Sequence, residues 1–158
     1  MKKLLCIAIL SGLVGCNAGN NSADVRKHLK AQAAALPACA TAAAQEFSVP
    51  EKLFKAMALA EGGTVSAPSP EARNSYGPMG LGAPAIPLMA KGLGVLEAAV
   101  KDDACTNYRA AAWWYANKSV ENGQRDDVWA TVTRFYYGSA SREAAPATER
   151  VKKIYAEL

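Results

Sequence analysis

The chain has 158 residues and a formal net charge of +4, which includes Lys2 and Lys3 at its start. So mild a charge, with no basic cluster, glycine-rich phosphate loop or internal repeat, argues against nucleic acid as a partner. The single histidine, His28, lies near the N-terminal end. A histidine nucleophile or histidine metal site in the folded region is therefore not expected, and the length suits one small domain.

The first fifteen residues have the pattern of a secretory signal. A basic start is followed by an apolar run over residues 4–14, too short to span a bilayer. The run ends in Leu-Val-Gly-Cys, which resembles the bacterial lipobox, where Cys16 becomes the lipidated first residue of the mature chain. Asn17 replaces the Asp that is usual for inner-membrane retention, which indicates a periplasmic protein anchored to the outer membrane. An ordinary signal peptide cut near the same place is the alternative.

A tether and two helices are predicted next. Residues 16–23 are small and polar, as expected for a lipidated tether. The folded domain is predicted to span residues 24–158. It begins with Ala-rich helices over residues 24–36 and 38–46, separated by Pro37.

The cysteines predict one disulfide. Of the four, Cys6 leaves with the signal and Cys16 carries the lipid. Cys39 and Cys105 then form an even pair in an oxidising compartment, where such pairs are usually bridged.

The next predicted helix has marked ends. Ser48 and Glu51 have the spacing of a capping box, and Pro50 falls in the first turn, where its missing N–H costs nothing. Gly62 and Gly63 supply the left-handed backbone that ends a helix.

An apolar stripe on this helix leads to a carboxylate. Val49, Leu53 and Met57 follow one another at helical spacing, with Phe54 beside them, and the next position on the stripe is Glu61. Burial and the negative helix end both disfavour an ionised Glu. A carboxyl that keeps its proton near neutral pH is suited to general acid catalysis. The alternative is a Glu61 side chain that turns out to solvent over the glycines.

The sequence over residues 47–63, Phe-Ser-Val-Pro-Glu-Lys-Leu-Phe-Lys-Ala-Met-Ala-Leu-Ala-Glu-Gly-Gly, resembles the first catalytic motif of the lysozyme-like lytic transglycosylases. It is closest to the small type associated with secretion, conjugation and pilus systems, and the resemblance extends from about Cys39 to the C-terminus. It implies an all-α, lysozyme-like domain with Glu61 as catalytic acid, peptidoglycan strands as substrate and no cofactor. The residues around Cys105 are similar to the family's Asp-Pro-Cys-Asn-Val, whose Cys pairs with the early Cys.

A second motif contains Gly77, Pro78 and Met79, which match the family's Gly-Pro-Met and by resemblance bind substrate. The family continues Gln-Ile-Asn, whereas this chain has Gly80 and Gly82 around a Leu. The missing Gln and Asn line the sugar site in the family, so their loss bears on substrate affinity. The alternative is a tight turn that only supports the catalytic helix.

Aromatic residues mark the second half of the chain. A helix predicted over residues 108–117 carries Trp113 and Trp114, interpreted as core residues, although one of them could offer a surface for sugar stacking. On the following helix, Arg-Phe-Tyr-Tyr stands where relatives have Arg-Tyr-His-Ser, and the family places a tyrosine hydroxyl there near the catalytic Glu. The resemblance implies Tyr136 first and Tyr137 second, with core packing of both as the alternative.

One carboxylate suffices for the implied chemistry, although ordinary glycosidases need two. In lytic transglycosylases a single Glu protonates the leaving oxygen and then takes the proton of the 6-hydroxyl as a 1,6-anhydro ring closes. The predicted function is cleavage of the MurNAc–GlcNAc bond for local wall opening. One alternative is a weakened peptidoglycan-binding lipoprotein that docks or assembles a secretion or conjugation apparatus. Another is a purely structural lipoprotein.

Overall fold

The structure is a computed structural model that describes residues 21–62, 74–121, 124–125, 127–138 and 146–158. The predicted signal, the lipidation candidate Cys16, most of the predicted tether and Gly63 lie outside these residues. No helix in the described ranges is long and apolar enough to cross a membrane.

The described residues contain eight α-helices and two short antiparallel ladders in one small domain, which confirms the predicted mainly helical class. The helices are α1 (Asn21–Ala34), α2 (Ala38–Glu46), α3 (Glu51–Ala60), α4 (Ile86–Leu93), α5 (Glu97–Asp102), α6 (Ala104–Lys118), α7 (Val128–Tyr137) and α8 (Pro146–Glu157). A 3₁₀ turn, Ala83–Ala85, precedes α4. One ladder pairs β1 (Ser75–Tyr76) with β2 (Leu81–Gly82), and the other pairs β3 (Val120–Glu121) with β4 (Gln124–Arg125).

Helix α1 begins at Asn21 rather than Asp24, so residues 21–23 belong to the first helix and not to the tether. Arg26 of α1 pairs with Glu157 on α8, with its Nε 2.9 Å from a carboxylate oxygen. This tertiary contact ties the start of α1 to the domain. The predicted bounds of α2 are confirmed, with Pro37 at its N-cap.

The predicted capping box at the start of α3 is wrong. Pro50 is the N-cap residue, and no side chain caps the helix. Ser48 has a φ of 56°, a left-handed conformation that turns the chain between α2 and α3. Glu51 pairs instead with Lys55 and accepts a hydrogen bond of 3.5 Å from the Thr41 hydroxyl. A left-handed turn between α2 and α3 therefore stands where the capping box was predicted. The spacing of Ser48 and Glu51 does not reveal this turn.

The apolar stripe of α3 lies in the core as predicted. Val49, Leu53, Phe54 and Met57 are all at most 5% exposed, and the Phe54 ring meets Tyr108 of α6 edge-on at 6.4 Å. Burial of each such side chain contributes about 1.5–3 kcal/mol. The stripe therefore fixes which face of α3 turns inward, and with it the direction of the residue that follows.

Cys39 and Cys105 form the predicted disulfide, with their Cα atoms 5.5 Å apart. The bond joins α2 to the first turn of α6 across a sequence separation of 66. In the chain-entropy model, closing a loop of this length stabilises the fold by about 4 kcal/mol. At the same helix start, the Asp103 side chain accepts a hydrogen bond of 2.7 Å from the backbone N–H of Thr106.

Helix α8 closes the domain by packing against α3 and α7. Val151 is fully buried, and Ile154 and Tyr155 are partly buried. The hydroxyls of Thr133 on α7 and Thr148 on α8 lie 2.9 Å apart in the interior. These contacts bring the last turn of α7 and the first turns of α8 to the C-terminal end of α3.

Candidate functional site

Glu61 is the C-cap residue of α3, and Gly62 after it has a φ of 103°, the left-handed exit expected there. The Glu61 side chain is only 18% exposed. It turns inward, as its position on the apolar stripe predicts, and not out to solvent over the glycine.

A cleft of about 580 Å³ opens beside this carboxylate, between the end of α3, the β1–β2 ladder and parts of α4, α6, α7 and α8. We call it the Glu61 cleft. It is lined by Glu61, Ser75, Gly80, Leu81, Gly82, Pro84, Ala85, Met89, Trp114, Phe135, Tyr136, Tyr137, Gly138 and Arg150. Among these described residues, Glu61 is the single carboxylate, and most of the wall is apolar or glycine.

Burial raises the pKa of the Glu61 carboxyl above its ordinary value, while Tyr136 and then Arg150 act against that rise. The Tyr136 hydroxyl is itself buried, and no group in the described part of the chain meets it with hydrogen-bonding geometry. The Tyr136 hydroxyl nevertheless lies close enough to the Glu61 carboxyl for each group to shift the pKa of the other. Burial, followed by the charge of Glu61, holds the pKa of Tyr136 well above its ordinary value. Tyr136 therefore keeps its proton near neutral pH and can donate it to an acceptor in the cleft.

Tyr137 also lines the cleft, but its hydroxyl has a structural partner. It accepts a hydrogen bond of 3.2 Å from the backbone N–H of Ala147, in the first turn of α8. The two tyrosines thus differ. The Tyr136 hydroxyl lies near Glu61, whereas the Tyr137 hydroxyl links α7 to α8 through a hydrogen bond.

Arg150 is a cleft residue that sequence reasoning missed. Its Nη2 lies 3.4 Å from Glu61 Oε1, and its Nε donates a hydrogen bond of 3.1 Å to the Ala60 carbonyl. A faint signal was available, because Arg150 shares a helical face with Ala147 and Ile154, which both turn toward the core. The position of Arg150 on this face does not indicate which residue it pairs with. Its partner, Glu61, is 89 positions away in the sequence.

Gly77, Pro78 and Met79 form the turn between β1 and β2, and none of them lines the cleft in the part of the chain that is described. Pro78 and Met79 are buried behind it. Gly77 has a φ of 67°, and a Cβ there would overlap the side chain of Asn107. These three residues therefore support the cleft wall formed by Gly80 and Leu81 without lining the cleft themselves.

Asn107 holds this turn in place and was also missed by sequence reasoning. It is fully buried on α6. Its Oδ1 accepts a hydrogen bond of 2.9 Å from Met79 N, and its Nδ2 donates to the carbonyls of Tyr76 and Val100 at 3.0 and 2.8 Å. One amide thereby satisfies backbone groups of β1, the turn and α5.

Trp114 borders both the core and the cleft, whereas sequence reasoning favoured a core position. It is partly buried, its indole N–H donates to the Phe135 carbonyl at 3.3 Å, and Lys118 Nζ lies 4.3 Å from the ring centroid. Trp113 is partly buried against the core and does not line the cleft. Of the two indoles, Trp114 is the one placed to stack on a ligand.

Gly80, in the turn between β1 and β2, lies directly against the Glu61 carboxylate. It has a φ of 56°, and a Cβ there would overlap Glu61 Oε2. The glycine that departs from the family motif is thus the residue that leaves room for this carboxylate.

Gly80→Ala is therefore expected to displace the Glu61 carboxylate toward solvent and to lower its pKa toward the ordinary value. Left-handed strain adds about 1–2 kcal/mol of destabilisation. Gly94→Ala is the matched control, because Gly94 has a φ of 66° but nothing within 4 Å of the added Cβ. NMR titration of the Glu61 carboxyl carbon, assigned by its loss in Glu61→Gln, measures the difference. An identical Glu61 pKa in both alanine variants would contradict the proposed contact.

No cluster of three or more His, Cys, Asp or Glu side chains suited to a metal ion occurs among the described residues. In comparisons with known proteins, the chain matches no protein-family model, and no curated protein or solved structure matches it significantly. Function is therefore inferred from the Glu61 cleft and the motif around it.

Proposed function

We propose that this protein is a peptidoglycan lytic transglycosylase that cleaves the MurNAc–GlcNAc bond and forms a 1,6-anhydro product. The observation that carries the proposal is Glu61, a mostly buried carboxyl in a cleft, whose pKa is raised by burial. A two-carboxylate glycosidase needs a second acid across the bond, and the described lining offers none.

In the proposed reaction, protonated Glu61 donates its proton to the glycosidic oxygen as the bond from that oxygen to C1 of MurNAc breaks. The N-acetyl group of the sugar stabilises the positive charge at C1. The 6-hydroxyl oxygen then bonds C1, and its proton returns to the Glu61 carboxylate, so the acid is regenerated without water. Tyr136, with a buried hydroxyl beside Glu61, is suited to orient the carboxylate or the N-acetyl group.

The setting that fits this activity is the periplasm. The disulfide between Cys39 and Cys105 suits an oxidising compartment. A lipid on Cys16 would hold the protein at the outer membrane, beside its peptidoglycan substrate. We further propose that it opens the wall locally for a secretion or conjugation apparatus.

A second candidate is a wall-binding lipoprotein with weakened catalysis, which docks or assembles such an apparatus. Two observations favour it. Gly80 and Gly82 bring no side chain into the cleft where the family has Gln and Asn. Arg150 lies beside Glu61 and opposes the protonation that an acid needs.

Mass spectrometry of sacculi incubated with the purified protein tests the proposal. Release of anhydro-muropeptides is expected for the enzyme. If none is released but the protein still sediments with the sacculi, the binding module replaces the enzyme. If the protein neither cleaves nor sediments, both proposals fail and a structural lipoprotein remains.

A further inference from the structure

Among the described residues that line the cleft, Glu61 and Arg150 are the charged ones, and they meet through a single contact between Arg150 Nη2 and Glu61 Oε1. The Arg150 side chain is 51% exposed, whereas Glu61 is 18% exposed. The guanidinium therefore lies on the open side of the carboxylate, where an entering ligand would reach it before reaching the acid.

Within the described residues, the guanidinium is held by one edge. Its Nε is bound to the Ala60 carbonyl, and one N–H of Nη2 points to Glu61 at a long 3.4 Å. The Ala60 carbonyl belongs to the last turn of α3, where helix carbonyls lack partners within the helix and attract cations. Because a guanidinium has further N–H groups on Nη1 and Nη2, an edge suited to a carboxylate is still available.

We propose that Arg150 is the anion-recognition residue of the Glu61 cleft, and that it binds a carboxylate carried by the glycan ligand. The inference rests on the proposed function for the glycan class of the ligand, and it adds the group that is recognised. A neutral glycan would leave Arg150 on Glu61, whereas an acidic glycan would draw the guanidinium away from it.

Binding of a ligand carboxylate by Arg150 would also change the pKa of Glu61. In the described part of the chain, the titratable and charged groups that act on Glu61 are Tyr136 from α7 and Arg150 from α8, and Tyr137 of α7 lines the same cleft. Arg150 lowers the Glu61 pKa through its charge and its hydrogen bond. Neutralising the guanidinium with a ligand carboxylate removes that effect, so the Glu61 pKa rises when an acidic ligand binds. By linkage, protonation of Glu61 in turn strengthens binding of the anion.

The carboxylate could come from two parts of a wall glycan, the lactyl ether of the sugar or the peptide stem. Three short probes separate them: chitobiose, which is neutral; the disaccharide GlcNAc–MurNAc, which has a free lactyl carboxylate; and GlcNAc–MurNAc with a tripeptide stem. None contains the bond that the proposed enzyme cleaves, so binding is measured without turnover.

Titration calorimetry on the full protein is the first test. We expect the wild type to bind at least one acidic probe more tightly than chitobiose. Arg150→Gln should weaken binding of that probe about 2- to 5-fold, with chitobiose unaffected. Arg150→Lys should retain part of the preference, because it keeps the charge but not the planar fork. The matched control is Lys152→Gln, which removes the same charge from α8 at a side chain that pairs with Glu149 outside the cleft.

NMR titration of the Glu61 carboxyl carbon is the second test. Its pKa should rise in Arg150→Gln without ligand, and in the wild type on addition of the preferred acidic probe but not of chitobiose. A merely structural Arg150 would not produce this ligand-dependent shift.

Three results overturn the inference: equal affinity for neutral and acidic probes, equal weakening of both by Arg150→Gln, or no binding of any probe. Because both tests measure binding, they are independent of the anhydro product. A protein that releases none but shows the acidic preference would refute the proposed enzyme and support Arg150.

Discussion

Glu61→Gln should lower the rate of anhydro-muropeptide release by about 10²–10⁴-fold, the usual contribution of a general acid and base. The substitution keeps the shape of the side chain and removes the proton that the glycosidic oxygen needs. Mass spectrometry of timed digests of sacculi measures the rate, and sedimentation with sacculi should remain, because the cleft keeps its form.

The same substitution should leave stability at neutral pH unchanged or slightly higher. The pKa of Glu61 is raised in the folded state by burial, above the unfolded value of about 4.3. Between the two pKa values the folded protein binds more protons than the unfolded chain. Its stability therefore falls as pH rises through that interval and stays lower above it. Glu61→Gln removes this loss of stability. The free energy of unfolding of the variant should therefore change less with pH than that of the wild type from about pH 4.3 upward.

Glu51→Gln is the matched control on the same helix. Glu51 is exposed and pairs with Lys55 at the opposite end of α3. Its replacement should affect neither cleavage nor the pH dependence that is assigned to Glu61. Full cleavage activity in Glu61→Gln, or an equal loss in Glu51→Gln, would refute the assignment of the acid.

Asn107→Ala should destabilise the protein by about 3–5 kcal/mol, because each buried group left without a partner costs roughly 1–3 kcal/mol. The groups affected are the N–H of Met79 and the carbonyls of Tyr76 and Val100. Urea unfolding followed by circular dichroism measures the change. The turn between β1 and β2 contains Gly80, which lines the cleft beside Glu61. Asn107→Ala should therefore weaken ligand binding as well.

Asn117→Ala is the control for this change. Asn117 is on the same helix and makes one hydrogen bond, to the Trp113 carbonyl at 2.8 Å, but it is exposed. Its replacement should cost at most about 0.5 kcal/mol. If Asn107→Ala costs no more than Asn117→Ala, the buried amide does not hold the turn.

Helix-forming patterns were readable from the sequence because they are local. The bounds of α2 and the core stripe that ends at Glu61 follow from residues a few positions apart. The disulfide was also predictable, since Cys39 and Cys105 were the pair left after Cys6 was assigned to the predicted signal and Cys16 to the predicted lipidation site.

The failures occurred where a nonlocal contact decided the outcome. The spacing of Ser48 and Glu51 fits a capping box, but the packing of α2 against α3 imposes a left-handed turn at Ser48 instead.

What the sequence by itself determined is the helical class, the disulfide and the inward direction of Glu61, since helical periodicity and cysteine pairing act through residue type and spacing. Only the tertiary structure decided what surrounds that carboxylate. Arg150, Tyr136 and Gly80 meet it from three separate elements. Burial, charge and steric room at one carboxylate are properties of that assembled neighbourhood, so no single stretch of the chain contains them.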